Sequence, residues 1–97
     1  MRLNKIKIQG IRDYFKNQPV KKAYLFGSYV NNMANNDSDI DILVELDHSE
    51  PIGLKFVRMR FELENILNTK VDLLSDKAIS KYIRPFIDND KELIYEK

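Results

Sequence analysis

Residues 39–46, Asp-Ile-Asp-Ile-Leu-Val-Glu-Leu, constrain this chain more than any other segment. Side chains alternate across a strand, so Ile40, Ile42, Val44 and Leu46 share one face, and Asp39 and Asp41 project together from the other. Such a strand needs strands beside it and helices over its apolar face. The flanking sequence supplies both in alternation. Residues 4–17 hold Ile6, Ile8, Ile11, Tyr14 and Phe15 near helical spacing, with Pro19 as a stop. Val20 to Phe26 reads as a strand ending at Gly27. Ser28 is placed to cap a short helix reaching Ala34, and residues 35–38 form a turn cluster.

Beyond the central strand, Pro51 suits the first turn of a long helix running to Asn68. Val71 to Leu74 reads as a short strand. Asp76 can cap a helix from Ala78 to Asp88, which Pro85 should kink or break. Leu93 to Tyr95 suits a last strand. The pattern predicts an α/β (α+β) fold, a small mixed sheet of three to four strands flanked by helices, with residues 1–97 as one domain. The middle helix carries two apolar stripes. Ile52, Phe56, Met59, Leu63 and Ile66 form the first, and Leu54, Val57 and Phe61 the second. A surface helix needs only one such face. The second stripe either widens the core contact or meets a partner chain.

Composition excludes several classes. The chain has 97 residues, 16 Lys and Arg against 15 Asp and Glu, and no cysteine. The missing thiols rule out disulfides, zinc-thiolate sites and a cysteine nucleophile, and they suit a reducing cytoplasm. A net charge of +1 argues against direct nucleic-acid binding. No apolar run approaches the roughly 20 residues of a membrane span, and residues 1–5 lack the apolar core of a leader. Gly10, Gly27 and Gly53 are too few and too scattered for a dinucleotide fingerprint or a P-loop.

The chemistry concentrates in Gly27-Ser28, ten intervening residues, then Asp39-Ile40-Asp41. Gly27 allows a sharp turn with no Cβ to block a ligand. Ser28 opens a helix, whose free N–H groups and dipole favour phosphate. Asp39 and Asp41 repel each other unless a hard cation lies between them. Mg²⁺ suits two carboxylates plus substrate phosphates. A phosphate cradle beside a metal pair suggests metal-assisted nucleotidyl transfer. Asp72, between Val71 and Leu73, interrupts an apolar segment and calls for a partner or a metal. It would complete a second metal site or act as base on the attacking hydroxyl.

Competing readings are weaker. Asp37, Asp39 and Asp41 imitate the opening of an EF-hand loop, but its sixth position would be Ile42 and its twelfth His48. His48 has no second histidine with which to build a site. Arg58, Arg60 and Arg84 read as solvated helix charges, although Arg58 and Lys55 could reach a triphosphate if the middle helix flanks the cleft.

Residues 25–45, from Leu-Phe-Gly-Ser-Tyr-Val to Asp-Ile-Asp-Ile-Leu-Val-Glu, resemble the signature of the minimal nucleotidyltransferases of the polymerase beta-like superfamily. Asp72 in Lys70-Val71-Asp72-Leu73-Leu74 matches that family's third carboxylate, and residues 79–95 resemble its closing helix and strand. The resemblance implies a polymerase beta-like nucleotidyltransferase core. It also implies an antitoxin that transfers AMP from ATP to a tyrosine hydroxyl of a HEPN-type toxin encoded by a neighbouring gene. Under it, Gly27 and Ser28 bind nucleotide, while Asp39, Asp41 and Asp72 are catalytic and hold Mg²⁺. A binding module that silences the toxin by occlusion is the alternative. A transferase acting on a small molecule or an RNA end fits less well, since such relatives carry extra substrate domains.

One departure bears on activity. Many members read Gly-Ser-Tyr-Ala-Arg-Gly where this chain has Gly27-Ser28-Tyr29-Val30-Asn31-Asn32. Asn32 can keep a positive φ. If the family's arginine contacts the triphosphate, Asn31 removes a charge-assisted hydrogen bond worth about 1.5–3 kcal/mol. Another cation, or weaker nucleotide binding, is expected in its place.

Overall fold

The computed structural model of the chain describes residues 3–30 and 38–97. Within them lie α1 (Lys5–Phe15), β1 (Val20–Phe26), β2 (Ile40–Leu46), α2 (Lys55–Leu67), β3 (Val71–Ser75), α3 (Arg84–Asp90) and β4 (Glu92–Glu96). The four strands form one mixed sheet in the order β3-β2-β1-β4. β1 pairs antiparallel with both β2 and β4, and β2 pairs parallel with β3. A parallel pair needs a crossover connection, and α2 provides it.

The alternation in β2 places the core as expected. Ile40, Ile42 and Val44 are fully buried, with Ala23, Leu25, Val71, Leu73 and Ile94 from the neighbouring strands. Ile11 and Phe15 of α1 and Met59, Leu63 and Leu67 of α2 close over that face. Each such side chain contributes about 1.5–3 kcal/mol by leaving water. Leu46 is only half-buried, whereas Leu43, on the opposite face, is fully buried. That second face is partly covered from α3, because Lys91 sets its ammonium 4.5 Å from the ring centre of Tyr24, which pairs with Leu43.

Polar ties fix the layers. Asn4 caps α1 by accepting the Lys7 N–H at 2.8 Å. Tyr14 donates to Glu62 at 2.8 Å, joining α1 to α2. Arg12 Nε donates to the Ile94 carbonyl at 2.5 Å, joining α1 to β4. Glu64 accepts the Val71 N–H at 3.0 Å and so fixes the end of α2 against the start of β3.

Four expectations are corrected. The middle helix starts at Lys55 rather than Pro51, because Gly53 takes a left-handed turn at φ 47° just before it. It ends at Asn68, whose left-handed φ of 51° stops the helix. Asp76 opens a short 3₁₀ turn, Asp76–Ala78, instead of capping a helix. Its carboxylate binds Arg84 at 3.1 Å, and Arg84 also donates to the Asp76 carbonyl at 2.6 Å. Pro85 therefore sits in the first turn of α3, where its missing N–H costs nothing, and it kinks no helix. Ser28 is not the residue before the first turn after β1, a place that Phe26 takes. It lies inside a 3₁₀ turn, Gly27–Tyr29, that begins directly after β1. The expected continuation to Ala34, the turn at 35–37, Asn31 and Asn32 lie outside the described residues.

The two stripes of α2 separate. Met59 and Leu63 are buried and Ile52 and Phe56 half-buried, but Ile66 is exposed and Leu67 takes the core position. In the second stripe Leu54 is 80% exposed and Phe61 56%, with Val57 similarly open. Among the described residues, that stripe is not packed against the buried core.

Candidate active site

Strand order brings the chemistry-bearing residues to one end of the sheet. β1 runs antiparallel to β2, so its last residue lies at the start of β2. β3 runs parallel, so its first residues lie there too. Asp41 is thus flanked in register by Phe26 on one side and by Asp72 on the other. Gly27 follows Phe26 directly, and the Ile40 N–H donates to the Lys70 carbonyl at 2.9 Å.

The turn at Gly27 is shaped around Asp41. Gly27 has φ 75°, a conformation that costs other residues dearly. A Cβ built there would overlap Asp41 Oδ2 and stand 3.2 Å from its Cγ. Glycine is therefore required twice, for backbone conformation and for space. The Val30 N–H closes the turn onto the Gly27 carbonyl at 3.0 Å.

Asp41 is half-buried, while Asp39 and Asp72 are exposed. Burial pushes the Asp41 carboxyl up to about 6, helped by the negative charges of Asp72 and then Asp39. The three sequence-assigned aspartates are electrostatic neighbours. They are not closed into a cage: among the described residues, no group of three His, Cys, Asp or Glu is arranged to hold a metal. The donor set nevertheless fits a hard divalent cation. It offers only carboxylate oxygens, and a cation beside Asp41 would remove the repulsion that raises its carboxyl.

Other charges sort clearly. Arg58 and Lys55 do not approach this end of the sheet. They line a separate surface cavity with Asn17, Gln18, Pro19, Glu50 and Glu62. Arg60 is exposed, as a solvated helix charge should be, and it also lines an open cavity of about 610 Å³ with Asp39, Glu64, Asn68, Thr69 and Lys70. Sequence reasoning missed this pair. The usable signal was the i, i+4, i+8 spacing of Arg60, Glu64 and Asn68, which leads one side of α2 toward the β3 start. A smaller cavity of about 340 Å³ lies at the far end of β2, where His48, Asp47 and Glu45 meet Asp76 and Lys77. It contains none of Gly27, Asp39, Asp41 or Asp72. Among the described residues no helix is long and apolar enough to cross a membrane.

Comparison with known proteins identifies the family and the fold. The family profile described as "Polymerase beta, Nucleotidyltransferase" matches residues 9–97. A protein of Methanocaldococcus jannaschii, designated a putative protein adenylyltransferase, is 39% identical over 90 residues, covering 93% of this chain and 95% of that protein. Among solved structures, a toxin–antitoxin crystal structure with AMP-PNP superposes with TM-score 0.77 at 23% identity, covering 98% of this chain and 75% of that one. A tri-AMPylated Shewanella oneidensis HEPN toxin in complex with its MNT antitoxin gives TM-score 0.66 at 19% identity, covering 94% and 73%. Identities this low extend the likeness to fold alone.

Proposed function

Because the chain belongs to the polymerase beta nucleotidyltransferase family, we propose that it transfers AMP from ATP to a hydroxyl, a tyrosine, of a HEPN-type toxin and thereby acts as the antitoxin. The observation that carries this reading is the packing of the Gly27 turn against Asp41, with Asp72 in register beside it. It sets a tight backbone turn next to a carboxylate group, the parts from which a phosphate cradle and a cation site are built. The adenylyltransferase designation of the 39%-identical relative supports AMP as the group transferred. The toxin–antitoxin structures of the same fold support the acceptor.

In this mechanism the N–H groups of the turn at Gly27 and Ser28 hold the triphosphate. Asp39 and Asp41 are the residues that would hold Mg²⁺, with Asp72 completing the set. Bound there, the ion supplies charge neutralisation at the phosphates. The acceptor oxygen forms a bond to the α-phosphorus, the α–β phosphoanhydride bond breaks, and pyrophosphate leaves. Asp72, on the strand farther from the glycine turn, takes the hydroxyl proton. The cytoplasm, which supplies ATP and Mg²⁺, is the expected setting.

The experiment is intact mass measurement of the neighbouring gene's HEPN-type product after incubation with this chain, ATP and Mg²⁺. AMP-sized mass gains that vanish with Asp39→Asn/Asp41→Asn support the reading. The exposed stripe Leu54, Val57 and Phe61 favours a second reading, neutralisation by binding and occlusion. A stable complex with no mass gain would select it.

A further inference from the structure

We propose that the cavity beside Asp39 is a phosphate-binding subsite whose cationic wall is Arg60 and Lys70. This deepens the transfer reading and rests on it for the role of Asp39. The cavity's place follows from topology. Gly27 and Lys70 flank the start of β2 from opposite sides, one ending β1 and the other preceding β3. A phosphate here lies across β2 from the glycine turn.

The charges around the cavity are unevenly committed. Among the described residues, neither Arg60 nor Lys70 has a carboxylate within 4.0 Å. Arg60 makes one aromatic contact, with its guanidinium 5.7 Å from the Phe61 ring centre. Glu64 is engaged by the Val71 N–H. Thr69 Oγ1 donates to the Leu67 carbonyl at 3.2 Å and accepts from Lys7 Nζ at 3.3 Å, which brings a third cation to the rim. With Asp39 given to a metal, the remaining lining is net positive. A planar guanidinium and an ammonium on one open wall are suited to phosphate oxygens. The phosphate belongs either to the triphosphate tail of the nucleotide or to the acceptor. The position across β2 from the glycine turn favours the acceptor.

The test starts with inorganic tripolyphosphate, titrated into the chain and into Arg60→Gln/Lys70→Gln, with backbone amide shifts read by NMR. Both side chains are exposed, so the double variant should melt like the parent. Shifts at residues 60 and 68–70 that disappear in the variant are expected, and their absence in the parent overturns the subsite. ATP-analogue affinity and transfer rate then assign the source. A loss of roughly tenfold or more in analogue affinity gives the phosphate to the nucleotide. Unchanged analogue affinity, with slower transfer onto an acceptor that already carries phosphate, gives it to the acceptor. Tripolyphosphate binding with neither effect would mean an adventitious ion only and would overturn the proposal. Tripolyphosphate binding by a parent chain that transfers nothing, with analogue affinity still lost in the variant, would sink the transferase reading and leave the subsite standing.

Discussion

The carboxylate of Asp41 fills the space that a side chain on residue 27 would need. One lies in the turn that follows β1 and the other on β2, and each fixes what the other can be. Gly27→Ala meets two penalties, a positive φ and an overlap with Asp41. The backbone penalty alone is about 1–3 kcal/mol. Denaturant unfolding should show at least that loss, and transfer should fall further because the carboxylate is displaced. Gly27→Ala/Asp41→Gly should recover the steric part of the stability but none of the activity. Full stability in Gly27→Ala would refute the packing described.

Asp41 makes stability depend on pH in a defined direction. Its carboxyl is raised from 3.8 to about 6, so the folded chain binds the proton more tightly than the unfolded chain between those values. Stability therefore falls as pH rises through that window, and the whole penalty stands above pH 6. Asp41→Asn removes it. The variant should melt higher than the parent at pH 8, and the difference should shrink on acidification and vanish below pH 4. Because Asp41 is half-exposed, the gain is modest. Mg²⁺ should raise the melting temperature of the parent at pH 8 and not that of Asp41→Asn. Equal melting at pH 8 would show that burial and the neighbouring carboxylates do not penalise the Asp41 charge as described.

The central strand and the residues at its start were legible because they depend on local alternation and on glycine's freedom at a turn. β2 keeps its expected core face, and Asp72 falls in register with Asp41 as the spacing of short strands allows. What escaped depends on tertiary neighbours. Nothing local says that Asp76 prefers Arg84 to a helix cap, or that Pro85 falls at a helix start. Arg60 and Arg58 look alike in sequence, yet two residues of helix send them to different cavities. Gly27 was readable as a turn, but its second reason, the Asp41 oxygen behind it, needed the fold.

The core and the α1–α2 polar tie should respond very differently. Leu63 is fully buried between α2 and the sheet, so Leu63→Ala should cost about 2–5 kcal/mol. Tyr14 donates to Glu62 at the surface, and water can replace that bond. Tyr14→Phe should cost no more than about 1 kcal/mol. Burial, and then the Glu62 carboxylate, hold the Tyr14 hydroxyl protonated well above its usual range. Alkaline spectrophotometric titration should find a late-ionising tyrosine in the parent that is missing in the variant, while Tyr24, raised by burial and by Glu45, stays late in both. A Tyr14→Phe loss as large as that of Leu63→Ala would contradict this ranking.

The exposed α2 stripe separates folding from association. Among the described residues, Leu54, Val57 and Phe61 are not packed against the core cluster, so charging them removes little that stabilises the fold. Val57→Asp/Phe61→Asp should melt within about 0.5 kcal/mol of the parent, as surface changes generally do. If the stripe is where the HEPN-type partner sits, the same variant buries two carboxylates in an apolar contact on association. Such unpaired charges are expensive, so binding should weaken by several kcal/mol. Calorimetric titration of the partner against both forms checks this. Unchanged affinity would move the interface away from α2, toward another apolar exposure such as Tyr82, Ile83 and Phe86. Lost affinity with retained AMP transfer would show that the stripe anchors the partner while brief encounters still suffice for chemistry at Asp41.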